Sequence, residues 1–204
     1  DIEREVADAL PNNPIISCLA FIAVSRVAPG KIEHKAFGAL TMGAWPEGIT
    51  EDCRRIAACF EAGGIDVKLS EAVVGERWRK SLWNTPFNPL SVLAGGADTV
   101  TLLDTPGGEA LARAMMAEVC EVAAADGHPM PENAIDKNIA GTRKMPAYIN
   151  SMALDYLNGR PMEIQAILGN VVALAEQHGV STPRLTTMQV ALAMRDRLAA
   201  ASDE

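Results

Sequence analysis

Hydrophobic and polar positions follow two different rhythms along the chain, and the change falls near residue 70. Before it, apolar residues come in runs or alternate; after it, they recur at helical spacing. Residues 15–27 are almost continuously apolar and rich in β-formers, which predicts a strand buried on both faces. Pro29-Gly30 then makes a turn, proline presetting φ and glycine accepting a positive one. Residues 31–35 alternate like a half-exposed strand and 40–43 form a third short strand, so a small antiparallel meander is expected. Residues 1–10 read as the tail of a helix, 51–62 as a helix closed by Gly63-Gly64, and 65–69 as one more strand. A lone meander has little to bury its main strand against. A larger sheet is therefore expected upstream.

After residue 70 the pattern is helical throughout, with helices predicted over 71–94, 106–126, 131–143, 146–157, 161–178 and 184–201. Gly95-Gly96, Gly127, Asn158-Gly159 and Gly179 punctuate their ends. Pro131, Pro146 and Pro161 sit at expected first-turn positions, where a missing N–H costs nothing. Pro86 lies inside the first of these helices and predicts a kink or unwinding near Leu82. The fold expected is mostly α, with a boundary at residue 70. A small β-meander/α piece over 1–70 precedes an all-helical domain over 71–204.

One stripe on the first of these helices carries chemistry. Lys80, Asn84 and Asn88 recur every four residues, and each such step turns only about 40° around a helix axis. Trp78, Leu82 and Val92 then form the apolar packing side. An ammonium and two amides in line can hold a small polar carbonyl compound. Elsewhere Met115-Met116 reads as core filler, and Glu118, Glu121 and Asp126 as a solvated face. Gly107-Gly108 reads as a helix-start turn with no phosphate-loop lysine after it.

Composition narrows the function classes. The chain has 204 residues, 49 % hydrophobic and 22 % charged, with a net charge of −8. That charge argues against nucleic acid and against an anionic membrane surface as partners. No apolar run approaches the ~20 residues of a membrane span, and the acidic start is no signal peptide. The chain begins with Asp rather than Met, and a fragment or trimmed product is expected. Cys18, Cys53, Cys59 and Cys120 show no C-x-x-C spacing and read as small buried hydrophobes in a reducing cytoplasm. His34, His128 and His178 are isolated, so no metal site is assigned; His178, just before Gly179, is expected to cap helix-end carbonyls.

Several of these segments resemble one family. Trp78-Arg79-Lys80-Ser81-Leu82 with Asn84 and Asn88-Pro89-Leu90 is similar to the signature helix of ketopantoate reductases (2-dehydropantoate 2-reductases). Residues 151–155 (Ser-Met-Ala-Leu-Asp) followed by 159–164 (Gly-Arg-Pro-Met-Glu-Ile) resemble the second signature, with its Ser-to-Glu spacing of twelve. Residues 178–183 resemble the connection into the last helix, and 20–22 with 27–30 the end of the nucleotide domain. The likeness covers the last two thirds of a typical member. It implies that 1–70 is the remnant of an NADP-binding Rossmann-type domain. It also implies that 71–204 is an all-α substrate and dimerisation domain of the 6-phosphogluconate dehydrogenase C-terminal kind. By position, Lys80 is the implied catalytic lysine, Asn84, Asn88 and Ser151 substrate-cleft residues, and Glu163 the acidic residue near substrate and nicotinamide ribose. The implied activity is NADPH-dependent reduction of ketopantoate to pantoate, on the way to pantothenate and coenzyme A, by a cytoplasmic homodimer.

The chain also departs from the family. It contains no G-x-G-x-x-G, and the family's cleft asparagine falls before residue 1, so these residues alone are expected to be inactive. The common Thr-Glu-Ile-Asp is Met162-Glu163-Ile164-Gln165 here, which keeps a different 2-oxo acid or an imine open as substrate. The chemistry suits a lysine: negative charge grows on a carbonyl oxygen during reduction, and an ammonium can stabilise it and donate a proton. Asparagines add hydrogen bonds without charge. The reading from another class is a non-catalytic helical oligomerisation module, packing through 161–178 and 184–201.

Overall fold

The computed structural model describes residues 2–200, which divide into two compact units, Asp1–Arg77 and Trp78–Glu204. In the first, α1 (Ile2–Ala9) leads into β1 (Ile15–Ala28), which pairs antiparallel with β2 (Lys31–Trp45). After α2 (Glu51–Ala62), β3 (Val67–Leu69) adds to β2 in parallel, giving the order β1-β2-β3. The sheet is thus mixed rather than an antiparallel meander throughout. The two strands expected at 31–35 and 40–43 are one. Between them the pairing slips and Gly38 (φ 134°) is left without a partner, beside Phe37 at φ 63°. Such a bulge shifts the phase of the alternation, so one strand reads as two.

The expectation that 15–27 is buried on both faces is not met. Of the β1 side chains described, only Ser17 and Leu19 are buried, while Phe21, Ile22, Val24 and Val27 are exposed. A sheet of three strands has too little cover for them. The start of β1 is anchored by polar groups instead. Ser17 Oγ donates to the buried Glu3 carboxylate at 2.5 Å, and Arg77 pairs with Glu3 and donates to Ser17 at 2.8 Å. Gly43 is required where β2 passes the chain at Ser70, whose carbonyl oxygen would collide with any Cβ there. Helix α2 is bounded as expected: Thr50 Oγ1 accepts from Cys53 N at its start, and Gly63 ends it.

The second unit is built from helices. It contains α3 (Val73–Leu93, which begins in the first unit), α4 (Thr99–Asp104), α5 (Gly108–Ala125), α6 (Ala134–Lys144) and α7 (Ser151–Leu157). A π-turn (Gln165–Gly169) then runs into α8 (Asn170–His178), and α9 (Pro183–Ala200) follows. Trp78, Leu82, Phe87 and Val92 from α3 are buried, as are Met115 and Met116, so the expected packing side and the methionine filler both hold. Helix α4 is too short to show a hydrophobic period; Asp98 caps it, accepting from Thr101 N at 2.7 Å. Helices α6 and α7 begin later than Pro131 and Pro146 suggest. Residues 146–150 are not helical, and Thr99 N donates to Tyr148 O at 3.0 Å there. Asn150 sets the start of α7, its Oδ1 accepting from Ala153 N at 2.9 Å.

Four polar expectations are corrected. Glu118 is buried and bonds the start of α9, so it is not on a solvated face. Asp126 accepts from Trp78 Nε1 at 3.0 Å and lies 3.5 Å from His178 Nε2; His178 therefore faces a carboxylate rather than helix-end carbonyls. Cys53 is buried, but Cys18 and Cys59 are exposed. Among the described residues there is no cluster that would hold a metal, and no helix is long and apolar enough to cross a membrane.

A surface network joins α4, α5 and α6. Glu109 accepts from Arg113 at 2.8 Å and from Arg143 at 2.6 Å, while Arg143 also reaches Asp104 and Arg113 reaches Asp136. The hydrogen bonds from Arg113 and then Arg143 hold the Glu109 carboxyl below the usual carboxylate range. A group lowered on folding stabilises above its unfolded pKa, and that contribution is lost as pH falls through the folded value. The melting-temperature gap between wild type and Glu109→Gln is therefore expected to be full at neutral pH, to close under acid, and to narrow with added salt. Thermal melts at neutral pH and below the ordinary glutamate range test this; an equal gap at both removes Glu109 from the acid response.

Candidate active site on the proline-bearing helix

Helix α3 runs without a break through Pro86 and Pro89, so the unwinding expected near Leu82 does not occur. Neither proline has an N–H, which leaves the carbonyls of Leu82 and Thr85 without their helical donors. The stripe of Lys80, Asn84 and Asn88 lies on this weakened stretch. Lys80 and Asn84 are half-buried. Asn88 is 1 % exposed, and its Oδ1 is buried with no hydrogen-bond donor. A buried amide oxygen without a partner costs free energy that a bound donor recovers.

Two hydrogen bonds, one buried and one part-buried, fix the stripe's surroundings. On one side Asn150 Nδ2 donates to Phe87 O at 3.2 Å. Asn150 immediately precedes Ser151, which is the exposed first residue of α7 rather than a mid-helix serine. On the other side Thr85 Oγ1 donates to Ile167 O at 2.9 Å, inside the π-turn. Glu163 lies one turn before Ile167 and accepts the Ile167 N–H at its carbonyl, at 3.0 Å. It is exposed and precedes the helix, which starts later than a helix opened by Pro161. The elements carrying Ser151 and Glu163 are thus both bonded to the turn of α3 between Asn84 and Asn88. Behind the stripe, Trp83 stacks on Phe87 with ring centroids 5.0 Å apart and donates to Thr142 Oγ1 at 3.0 Å. Burial pushes the nearby Tyr148 phenol up.

Two of these residues carry no sequence signal for a site, and Gln165 carries one only as a departure from the family pattern. Thr85 and Asn150 carry no motif of their own; Asn150 had a signal only as a capping residue type at a helix start. Gln165 folds over Gly169, where a Cβ would collide with its side chain, and donates to Asn170 Oδ1 at 3.1 Å. That is the position where the family's usual Asp is replaced.

The described residues do not fit the pyrophosphate of a dinucleotide. The helix following β2 opens with Thr50 as its cap and Glu51 and Asp52 in its first turn, carboxylates that repel a phosphate. The turn after β3 carries Glu71 and no glycine-rich loop. What the described residues offer instead is a cation and two carboxamides on α3, with a hydroxyl at Ser151 and a carboxylate at Glu163 on the segments bonded to it.

The profile described as "Ketopantoate reductase PanE/ApbA C terminal" matches residues 72–196. A 2-dehydropantoate 2-reductase of Nostoc sp. is 33 % identical, aligned over 92 % of this chain and 60 % of its own length. The solved 2-dehydropantoate 2-reductase of Methylococcus capsulatus is 46 % identical, with a TM-score of 0.92 over 98 % of this chain and 64 % of that one. A D-mandelate dehydrogenase solved with NADH and anilino(oxo)acetate shares the fold alone, with a TM-score of 0.89 at 17 % identity. The chain thus spans somewhat under two thirds of the length of the reductases it matches. With the signature helix and the second signature in place on one bonded framework, the chain belongs to the ketopantoate reductase family.

Proposed function

We propose that this chain is the substrate half of an NADPH-dependent 2-oxo acid reductase that converts ketopantoate to pantoate, supplying pantothenate and coenzyme A synthesis. The observation that carries the reading is the buried, unpartnered Asn88 amide oxygen on the same helical stripe as Lys80. A hydroxyl on the substrate supplies the donor that this oxygen lacks. The Lys80 ammonium stabilises the carbonyl oxygen as charge develops and gives it a proton. Asn84 holds the carbonyl end, and the exposed Ser151 hydroxyl donates to the substrate carboxylate. Glu163 is the acidic group beside the substrate and the ribose of the nicotinamide.

The division of labour follows the expected boundary: 1–70 belongs with a nucleotide domain and 71–204 forms the substrate domain. The hydride donor binds mainly outside these residues. Val190 and Met194, exposed one turn apart on α9, fit a homodimer contact, and a reduced cytoplasm suits four free cysteines. The test is turnover of NADPH and NADH with a panel of 2-oxo acids, including ketopantoate and an aryl 2-oxo acid. It compares the 204 residues alone with the same residues joined to a dinucleotide-binding domain. Only the joined form is expected to turn over, best with ketopantoate and NADPH, and to sediment as a dimer. Turnover by the 204 residues alone overturns the division of labour; preference for another acid moves the substrate.

A further inference from the structure

The geometry points to Thr85 as a positioning residue that sets the register between the Lys80–Asn84–Asn88 stripe and the segment carrying Glu163. The inference rests on the reductase reading of that stripe. Thr85 is fully buried, sits between the two asparagines, and spends its hydroxyl on a carbonyl of another element, Ile167 O at 2.9 Å. A threonine inside a helix more often bonds a carbonyl of its own preceding turn. Pro89 removes the N–H that would otherwise bond Thr85 O, so this turn of α3 is held less firmly by its own ladder.

The acceptor is also in a special place. Asn170 N bonds Gln165 O across five residues, the widened spacing of a π-turn, and Ile167 lies inside it. Gln165 lies over Gly169 and bonds Asn170, which braces the same turn from outside. The Thr85 bond therefore ties a turn of α3 weakened by its prolines to the π-turn that follows Glu163. Losing it frees the stripe to slide against Glu163 by a fraction of an ångström while the apolar packing persists.

The test uses Thr85→Val, which keeps shape and removes the donor, and Thr85→Ser, which keeps the donor. Both are made in the reductase polypeptide with its dinucleotide domain. Thr85→Val is expected to raise KM for the 2-oxo acid about tenfold, since the displaced asparagines are read as binding the acid in ground and transition state alike. It should leave KM for the dinucleotide unchanged, and Thr85→Ser should restore wild-type KM. A merely structural role lowers the amount of active protein, hence apparent kcat, and leaves KM alone. An unchanged oxo-acid KM in folded Thr85→Val, or no rescue by serine, overturns the inference. If the wild type turns over no 2-oxo acid, the reductase reading fails and amide hydrogen exchange judges Thr85 separately. Faster exchange in both 84–90 and 164–170 for the valine variant alone supports the tie; unchanged exchange overturns it.

Discussion

Lys80→Ala is expected to lower kcat of the dinucleotide-domain-bearing reductase by about 10²–10⁴-fold, the range for loss of a positioned acid that also stabilises charge. The oxo-acid KM is expected to change far less, because an interaction that strengthens as the oxygen becomes an alkoxide acts on the transition state more than on bound substrate. Lys80→Arg separates the two roles. It keeps the cation but holds its proton too tightly to give it up, so a partial recovery over alanine measures charge stabilisation alone. Steady-state kinetics with ketopantoate at saturating dinucleotide decides the matter. An alanine variant within a few-fold of wild type would falsify any role for Lys80 in the chemistry. Asn88 provides an internal comparison: its oxygen is buried without a donor, and on the proposed reading it bonds the substrate equally in the ground and transition states. Its loss therefore falls mainly on KM.

That stripe was legible in the sequence because periodicity alone puts residues 80, 84 and 88 on one line, and the helix continues across them in spite of two prolines. The apolar side of the same helix was legible for the same reason: Trp78, Leu82 and Val92 are all buried. What local pattern does not encode is which distant backbone a side chain will meet. Thr85 reaches Ile167 and Asn150 reaches Phe87 across more than sixty residues of chain. Each looks like an ordinary helix or cap residue until the packing is known. The start of α7 was misplaced because Pro146 tolerates a first turn without requiring one, whereas Asn150 caps it by a specific hydrogen bond. The composition of β1 alone predicts burial, but burial depends on what lies against the strand. Nothing local marks Glu118 as buried, since an acidic residue on a helix is usually solvated.

Glu118→Ala is expected to be the most destabilising polar substitution in the second unit. Helix α9 starts at Pro183, so its earliest N–H groups belong to Arg184 and Leu185, and neither has an intrahelical acceptor. Glu118, 4 % exposed on α5, supplies both: one oxygen accepts from Arg184 N at 3.1 Å, the other from Leu185 N at 2.9 Å. Its negative charge also sits at the positive end of α9. The Arg184 guanidinium completes the arrangement at 3.0 Å from a half-exposed position. Truncation to alanine strands two donors at a helix start beside the fully buried Leu185, a loss of about 3 kcal/mol. Glu118→Gln keeps the shape and one acceptor, and is expected to cost about 1 kcal/mol. Arg184→Ala removes only the partly solvated partner and is expected to cost less than 1 kcal/mol, about what exposed pairs contribute. Denaturant unfolding of the three variants yields the ranking. If Arg184→Ala matches Glu118→Ala, the ion pair rather than the two backbone bonds holds α9 to α5. If Glu118→Ala unfolds with wild type, the carboxylate does not hold the helix at all.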